Sequence, residues 1–225
     1  MYLYETHMHT SPVSRCARST VREMLEFYKS LGYQGVFITN HFIDGNVNID
    51  RSLPYEDKVR FYFSDYDEAV RLSAEIGIDV FLGVELSYGG TDFLVYGLSR
   101  DWFLSHPEIE EMKKSCELRL MMDEGAFIVQ AHPFREANYI DHIRLFPRHV
   151  HAIEVKNAAQ PAEVNEMARL YADAYGLPHF AGSDSHSVNG RRLAGLSCEE
   201  RIESSEHFIR LFKAGGMKIF TKSLD

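Results

Sequence analysis

Imidazole and carboxylate side chains recur in short motifs along the 225-residue sequence. In extended backbone, residues i and i+2 point to the same side, so the rings of His7 and His9 can bind one metal ion. Asp184 and His186 have the same spacing. Either pair alone carries little weight, because short motifs of this kind are often structural. The sequence, however, holds seven such residues in comparable positions: His7, His9, His41, Glu85, His132, Asp184 and His186.

This set of five imidazoles and two carboxylates has the chemistry of a transition-metal centre. Imidazole combined with carboxylate suits Zn, Mn or Fe, and one carboxylate can bridge two ions. The set has more ligands than a tetrahedral site accepts, and it fits a cluster of two or three ions. Water bound to such ions loses a proton near neutral pH and becomes a nucleophile. The set therefore predicts hydrolysis by a metal-bound hydroxide.

Each of these residues ends or follows a short apolar run that we predict to be a β-strand. The runs are rich in β-branched and aromatic residues, which favour strands over helices. The predicted strands cover residues 2–6, 35–39, 79–84, 93–97, 126–130, 152–155 and 179–181, with a possible eighth at 217–220. Amphipathic stretches between them predict helices over residues 20–31, 64–76, 108–123, 162–175 and 199–214.

The repeated order of helix, glycine and apolar strand is typical of βα units around a largely parallel sheet. No linker-like segment interrupts the chain, so we expect one domain over residues 1–225, built as a closed or nearly closed barrel. An open doubly wound sheet is the alternative. In both architectures the C-terminal ends of the strands form the active face, where the seven residues should converge. No GxGxxG follows the first strand and no P-loop is present, so nucleotide-cofactor binding of those types is unsupported.

The composition narrows the classes of partner and compartment. Asp and Glu outnumber Lys and Arg by 33 to 24, giving a net charge of -9, which disfavours long nucleic acid as a constitutive partner. The 3 cysteines are an odd number without a CxxC motif, which is typical of a reducing compartment. The sequence starts without a signal-peptide pattern and has no apolar run long enough to span a membrane. We therefore expect a cytoplasmic protein without a membrane partner.

Five motifs make the sequence similar to a known family, the PHP (polymerase and histidinol phosphatase) metal-dependent phosphoesterases. They are ETHMHT at 5–10, ITNH at 38–41, GVEL at 83–86, AHPF at 131–134 and GSDSH at 182–186. They occur in the order and spacing of the family and extend over nearly the whole chain. The resemblance implies a distorted seven-stranded (β/α)7 barrel, similar to a TIM barrel, with two or three divalent ions at the C-terminal ends of its strands.

The resemblance also implies roles for the seven residues. His7, His9, Glu85 and Asp184 correspond to ligands of a first ion, and Glu85 would bridge to a second ion that His132 also binds. His41 and His186 correspond to part of a third site. Among these residues, we expect His9, Glu85 and Asp184 to be catalytic.

Three positions depart from the family pattern. After the His-x-His motif only Cys16 could complete the third site, as a thiolate, and it is otherwise expected to be a small buried residue. Many members carry a histidine in the strand after the glutamate, and Asp92 is the residue of this chain nearest to that position. The preceding Gly89-Gly90 pair suggests a tight turn that would fold Asp92 back beside Glu85. Asn40 stands where an aspartate usually precedes the histidine, and its amide could still orient His41.

Several further residues could hold a substrate or support a ligand. Planar guanidinium groups bind phosphate oxygens in pairs, and we select Arg135, Arg191 and Arg192 as substrate-binding candidates, with Arg15 as a weaker one. Glu154 lies at the end of the sixth predicted strand and could orient a metal ligand. Residues 55–63 could be a substrate lid, an interface or an ordinary packed loop.

These observations predict a metal-dependent phosphoesterase, resembling histidinol phosphatase, that acts on a phosphomonoester of a small metabolite. A phosphodiesterase or exonuclease acting on nucleotide ends is a close alternative. A degenerate metal-binding regulatory module is a second alternative, and hydrolysis of a C–N bond by the same hydroxide is a third. The expected partner is a small phosphorylated substrate, and the expected cofactors are two or three divalent Zn, Mn or Fe ions.

Overall fold

Nine strands form one continuous sheet in the computed structural model, which describes residues 1–224. The strands are β1 (Tyr2–Met8), β2 (Gly35–Ile38), β3 (Asp79–Tyr88), β4 (Thr91–Tyr96), β5 (Phe127–Ala131), β6 (Ala152–Asn157), β7 (His179–Gly182), β8 (Arg192–Cys198) and β9 (Met217–Ser223). Their order across the sheet is β7-β6-β5-β4-β3-β2-β1-β8-β9. The possible strand at residues 217–220 is confirmed as part of β9.

The sheet curls into a nearly closed barrel because β1 has neighbours along both of its edges. β2 pairs with one edge in parallel, and β8 pairs antiparallel with the first half of the other edge. The second half of that edge meets the segment after β7. There the Asp184 backbone N–H donates to the His7 carbonyl at 2.7 Å, and the His9 N–H donates to the Ser185 carbonyl at 2.8 Å. Strands β1 to β7 thus surround the interior.

The expected seven-stranded, largely parallel (β/α)7 barrel needs correction, because the sheet has nine strands and mixed strand directions. β4 runs antiparallel to both β3 and β5, and β8 runs antiparallel to β1 and β9. The cause at β4 is the Gly89-Gly90 turn, where both residues have positive φ angles of 56° and 86°. Such a turn joins β3 directly to β4 as a hairpin and leaves no room for a crossover helix. The result is a mixed sheet within a barrel-shaped α/β fold.

Seven α-helices cover the outside of the described chain: α1 (Val21–Ser30), α2 (Tyr55–Tyr62), α3 (Ser64–Ile76), α4 (Arg100–Ser105), α5 (Lys114–Asp123), α6 (Ala162–Tyr175) and α7 (Ser205–Lys213). The predicted bounds of α3 and α6 are confirmed at both ends. Gly77 and Gly176 end these helices in the left-handed conformation. None of the described helices is long and apolar enough to cross a bilayer.

Other helix predictions need correction. The segment 108–123 contains a short 3-10 helix, Pro107–Glu110, and then α5. Residues 199–204 are not helical, because the Ser204 side chain caps α7 by accepting from the His207 N–H. Residues 55–62 of the segment 55–63 form α2 rather than a loop, and the buried Tyr62 hydroxyl donates to the Asn40 carbonyl at 3.0 Å.

An aromatic layer fills the barrel interior below the polar strand ends. Phe208 of α7 contacts rings from four strands, with ring-centroid distances of 4.6 to 6.3 Å to Phe37, Tyr96, Phe127 and Phe180. The buried Tyr96 hydroxyl donates to the Thr6 carbonyl at 2.7 Å, directly beside His7 in the chain. Close-packed rings resist displacement, so this layer supports β1 where its polar residues begin.

Replacing Gly195 by Ala is expected to destabilise the protein by about 1–3 kcal/mol. The added Cβ would collide with the Tyr4 carbonyl oxygen of β1 and lie 3.0 Å from the Phe220 ring of β9. Gly190→Ala is the matched control, because its nearest neighbours would lie at an ordinary 3.8 Å. Urea unfolding followed by circular dichroism measures both variants, and equal stability would contradict the close approach of β8 to β1.

Candidate metal centre

The seven predicted ligands lie together at one mouth of the barrel, with the Glu85 carboxylate in their middle. Glu85 is fully buried on β3. Its Oε2 lies 2.7 Å from His41 Nδ1 and 3.4 Å from His9 Nε2. Its Oε1 lies 3.2 Å from His7 Nε2 and 3.5 Å from His132 Nε2. Residues far apart in sequence therefore meet around one carboxylate.

Asp184 forms a second carboxylate centre beside Glu85. Its Oδ1 lies 3.5 Å from His7 Nε2, 3.4 Å from His9 Nε2 and 3.7 Å from His186 Nδ1. Its Oδ2 lies 3.7 Å from His132 Nε2. Among the described residues, three groups have ligand atoms within 4.8 Å of one another: His7 with Glu85 and His132, His7 with His9 and Asp184, and His9 with His41 and His186.

The donor atoms of this cluster are better placed to bind metal ions than to form hydrogen bonds with one another. Both Glu85 oxygens and His41 Nδ1 are buried without a hydrogen-bond partner of adequate geometry in residues 1–224. Leaving a carboxylate dry and unbonded costs several kcal/mol, on the order of the desolvation penalty of a charged group. Divalent ions between the nitrogens and oxygens would remove that cost, so the residues present fit a metal cluster.

Hydrogen bonds at Nδ1 leave the Nε2 lone pairs of the His7 and His186 rings free to bind an ion. His7 Nδ1 lies 2.8 Å from Glu154 Oε1, and His186 Nδ1 lies 3.0 Å from the Asp184 carbonyl. Both partners only accept, so the proton is on Nδ1 in each ring. The Nε2 atoms of His7 and His9 then face each other 3.3 Å apart, as two ligands of one ion would.

His9 obtains its orientation from Ser14. The Ser14 hydroxyl donates to Asn40 Oδ1 at 2.9 Å, so its oxygen can accept from His9 Nδ1 at 3.1 Å. The same oxygen accepts from the His41 backbone N–H at 3.0 Å. One serine therefore positions two predicted ligands, a role that the sequence analysis missed because serines in loops are common.

The electrostatics of the cluster keep its carboxylates ionised. Burial alone would raise the pKa of Glu85, but the His41, His7 and His9 rings hold that pKa well below its usual range. Burial opposes ionisation of Asp184 in the same way, but the His7, His9 and His132 rings together outweigh it and hold the pKa well below its usual range. Burial and the neighbouring His186 and His41 rings lower the pKa of His9 to about 3, so its imidazole is neutral and able to bind an ion.

Two predicted ligands have a backbone conformation that side chains rarely adopt. His132 has a φ of 25° and Asp184 a φ of 54°, and no other non-glycine residue of the described chain has a positive φ. Each such residue costs on the order of 1–3 kcal/mol unless its surroundings enforce it. Here the bends after β5 and β7 turn both side chains toward Glu85, which is the position required of a shared ligand set.

Glu154 on β6 links three strand ends beneath the cluster. It is fully buried, and besides His7 Nδ1 its carboxylate accepts from the His132 N–H at 3.0 Å and from Asn157 Nδ2 at 2.9 Å. Asn157 also donates to Asp184 Oδ2 at 3.2 Å. Glu154 is therefore placed to orient His7 and the strained His132 backbone at once.

Asn40 supports the loop after β1 rather than the His41 ring. Its Oδ1 accepts from the Thr10 N–H at 2.7 Å as well as from the Ser14 hydroxyl. Its Nδ2 donates to Thr10 Oγ1 at 2.8 Å and to Asp65 Oδ2 at 3.1 Å. It therefore acts on His41 indirectly, since Ser14 accepts from the His41 backbone.

Asp65, from the first turn of α3, completes this support, and the sequence analysis did not select it. It is 1% exposed, and its Oδ2 also accepts from Thr10 Oγ1 at 2.7 Å and from the Val13 N–H at 3.3 Å. An aspartate in the first turn of a helix is common for helix stability alone, so no signal in the sequence distinguishes it.

Cys16 lies in the same cavity, of about 540 Å³, as Glu85, His132 and Asp184. Its thiol is half-buried beside His186 and His41. Burial opposes ionisation of the thiol, but hydrogen bonds with these two rings lower its pKa to about 6. Cys16 is therefore placed to bind an ion as a thiolate together with His41 and His186.

Asp92 and Arg135 also line this cavity. The Gly89-Gly90 turn folds Asp92 back, so that its Oδ2 lies 3.9 Å from His132 Nε2 and accepts from Arg135 Nη2 at 3.0 Å. Within the described residues, Arg135 Nε is buried without a hydrogen-bond partner. The Arg135 side chain as a whole is 25% exposed and borders the cavity, so its guanidinium is placed to contact an anion there.

The other arginines selected from the sequence lie elsewhere around the mouth. Arg191 and Arg192 are exposed and line a separate cavity of about 420 Å³ that Asp184 and His186 also border. Arg15 is exposed on the loop after β1, where its backbone N–H donates to the Asn46 carbonyl at 2.9 Å. These positions are near the cluster, but they do not share the wall formed by Arg135.

Comparison with known proteins supports the resemblance seen in the motifs. A family model described as PHP-associated matches residues 162–190, which include α6, β7 and the loop with Asp184 and His186. No curated protein matches the sequence.

Solved structures share the fold at low sequence identity. The chain aligns over 97% of its length, with a TM-score of 0.72 and 16% identity, to a two-domain protein of Bacteroides vulgatus ATCC 8482 that contains a predicted PHP-like metal-dependent phosphoesterase. It spans 64% of that protein. It also aligns with PsfC of Pseudomonas syringae PB-5123, with a TM-score of 0.62, 14% identity and coverages of 99% and 91%. A predicted metal-dependent phosphoesterase of Bifidobacterium adolescentis ATCC 15703 gives a TM-score of 0.55, 15% identity and coverages of 93% and 95%.

Removing the Glu154 carboxylate is expected to weaken metal binding about 10- to 100-fold, because His7 and His132 lose the contact that orients them. The variant is Glu154→Ala, and calorimetric titration of metal-free protein with Mn²⁺ or Zn²⁺ measures the affinity. Glu163→Ala, on the exposed first turn of α6, is the control and should bind as the wild type does. An unchanged affinity in Glu154→Ala would contradict the orienting role.

The contact between Asn40 and Asp65 gives a second test. Asn40→Asp places two carboxylates together in a buried site and is expected to destabilise the protein by roughly 1–3 kcal/mol. Adding Asp65→Asn restores one donor between them and should recover most of that loss. Urea unfolding of the two single variants and the double variant measures the coupling. If the double variant loses the sum of the two single losses, Asn40 and Asp65 are not energetically coupled and the prediction is wrong.

Proposed function

We propose that this chain, whose motifs, family match and fold support membership of the PHP superfamily, is a metal-dependent hydrolase of phosphate esters. One observation carries the proposal: the converging, unbonded donor atoms around Glu85 form a multinuclear ligand set in a cavity that Arg135 also lines. A cluster of cations beside a guanidinium suits a phosphoryl group, whose negative charge is spread over several oxygens.

His7, His9, Glu85 and Asp184 would hold a first ion, and Glu85 with His132 would hold a second. His41 and His186 would hold a third, with Cys16 as an additional ligand. When bound, such ions supply Lewis acidity that polarises a phosphoryl oxygen and makes water a nucleophile near neutral pH.

The chain's own residues bind and orient the ester. Arg135 would bind a phosphoryl oxygen, while Asp92 Oδ2 accepts from its Nη2 at 3.0 Å and holds the guanidinium in place. Glu154 and the Asp184 carbonyl keep protons on the Nδ1 atoms of His7 and His186, so that their Nε2 atoms remain free to bind ions. The fixed positions of these groups reduce the entropy that substrate binding and reaction would otherwise cost.

The substrate that we favour is a phosphomonoester of a small metabolite. The cavity of about 540 Å³ suits a small ligand, and the net charge of -9 opposes a long polyanion. The described cysteines, Cys16, Cys116 and Cys198, are all free thiols, which supports a reducing compartment and hence a cytoplasmic location.

His9→Ala and Asp184→Ala are each expected to lower turnover of p-nitrophenyl phosphate by at least about 1,000-fold, because each removes a ligand from the centre of the cluster. Steady-state kinetics with Mn²⁺ or Zn²⁺ measures the loss, and circular dichroism monitors the fold. His142→Ala removes an exposed imidazole and should behave as the wild type.

Two results would overturn the proposal. Wild-type activity in His9→Ala or Asp184→Ala would show that the cluster takes no part in the reaction. Absence of any metal-dependent phosphatase activity in the wild type, with bis(p-nitrophenyl) phosphate cleaved instead, would move the assignment to the phosphodiesterase alternative.

A further inference from the structure

A second cavity, of about 370 Å³, opens beside the metal-binding cavity and is lined by three basic side chains, Arg51, Lys58 and Lys114. We name it the lysine cavity. Asp44 and Ser87 line both cavities, so the two are adjacent. Nothing in the metal cluster requires this second space, and its lining differs in chemistry from the histidine-rich mouth.

Two of these basic residues are nearly buried. Lys58 is 6% exposed and Lys114 is 7% exposed. Lys58 forms an ion pair with Glu110, and Lys114 Nζ lies 2.6 Å from both Asp44 Oδ2 and Glu117 Oε2. Lysines are rarely buried without partners, and here each one has at least one carboxylate.

The lysines have hydrogen-bonding capacity beyond these partners. An ammonium group has three N–H donors, and Lys114 directs two of them to Asp44 and Glu117. Buried ion pairs add little stability compared with apolar side chains of similar size. Ion pairs that line an open cavity, with a donor to spare, are therefore better explained by a ligand than by stability.

The charge balance of the lysine cavity favours an anion. Burial raises the pKa of Glu117 to about 7, against the opposing effect of Lys114, so this carboxyl group is partly neutral at physiological pH. Arg51, Lys58 and Lys114 then face the full charges of only Asp44 and Glu110. Because Glu117 is only partly neutral, the excess is less than one positive charge, and the carboxylates present would repel a second phosphate dianion. A single carboxylate is the anion that this small excess favours.

A chain of hydrogen bonds joins the lysine cavity to the metal-binding cavity. The Ser87 N–H donates to Asp44 Oδ1 at 3.1 Å, and the Ser87 hydroxyl donates to Asp92 Oδ1 at 2.7 Å. Asp92 in turn holds Arg135, which is our candidate for a phosphoryl contact. The carboxylate-binding groups and the phosphoryl-binding groups are thus fixed relative to each other.

We propose that the lysine cavity binds a carboxylate carried by the leaving group of the phosphate ester, so that the substrate is a phosphorylated hydroxy acid. This inference rests on the proposed function. Lys58 and Lys114 would bind the carboxylate, and the apolar wall formed by Phe42, Ile43 and Met112 would contact the carbon skeleton.

The test compares two phosphomonoesters of similar size, 3-phosphoglycerate and glycerol 3-phosphate, which differ in the carboxylate. The wild type should hydrolyse 3-phosphoglycerate with a kcat/KM at least about tenfold higher. Lys58→Gln and Lys114→Gln should each reduce that preference about 10- to 100-fold, mainly through KM, because each removes a charge-assisted hydrogen bond. Lys113→Gln, an exposed neighbour of Lys114, is the matched control and should retain the preference.

A binding measurement separates this inference from the proposed function. Calorimetric titration of the metal-loaded protein with D-glycerate detects carboxylate binding without any reaction at phosphorus. Hydrolysis of p-nitrophenyl phosphate with no preference for 3-phosphoglycerate would overturn the carboxylate-binding role of the lysine cavity, while the phosphatase assignment would stand. If the wild type binds glycerate, Lys58→Gln abolishes that binding and no ester is hydrolysed, the carboxylate-binding role of the lysine cavity is supported and the phosphatase assignment is overturned.

The variants differ in their risk of misfolding. Lys114→Gln leaves Glu117 and Asp44 without their cation, whereas Arg51→Gln alters an exposed side chain that donates to the Gly45 carbonyl at 2.8 Å. Arg51→Gln should fold normally and still lower the preference for 3-phosphoglycerate. If Lys114→Gln unfolds, an unchanged preference in both Lys58→Gln and Arg51→Gln would overturn the inference.

Discussion

The organisation of this protein depends on holding two ionised carboxylates and five imidazoles together in a largely buried barrel mouth. Glu85 is the centre of this constraint, because four ring nitrogens lie within 3.5 Å of its oxygens without forming proper hydrogen bonds. Groups of this kind do not gather for stability, since their desolvation is expensive. Features that would be defects elsewhere, such as the positive φ angles of His132 and Asp184, are explained by the need to direct ligands at this point.

The irregularities of the sheet serve the same constraint. β1 pairs with β8 in its first half and with the segment after β7 in its second half, which brings His7 and His9 directly beside Asp184. The β3–β4 hairpin places Asp92 at the same mouth, a position that a crossover helix would not allow. The aromatic layer around Phe208 supports this arrangement from below. A regular parallel barrel would distribute these residues differently around its mouth.

The sequence was sufficient to predict which side chains converge, because histidine and acid motifs at strand ends obey simple rules of direction. It also predicted α3 and α6 accurately, since Gly77 and Gly176 end them. The sequence did not predict β8, because Ala194 and Gly195 are unfavourable in strands. This strand is held in place by its pairing with β1 and β9. Contacts such as that between Asn40 and Asp65 join elements 25 residues apart, and no local pattern encodes them.

The distribution of charge connects the metal centre to the choice of substrate. The chain as a whole carries a net charge of -9, yet its two adjoining cavities are places where positive charge would concentrate. Bound divalent ions would exceed the charges of Glu85 and Asp184 in one cavity. In the other, Arg51, Lys58 and Lys114 slightly exceed the charges of Asp44, Glu110 and the partly neutral Glu117. A negative net charge together with positive charge gathered at these cavities favours small anions over long ones. A dianionic phosphoryl group beside a single carboxylate matches that division of charge, with the stronger anion at the stronger positive site.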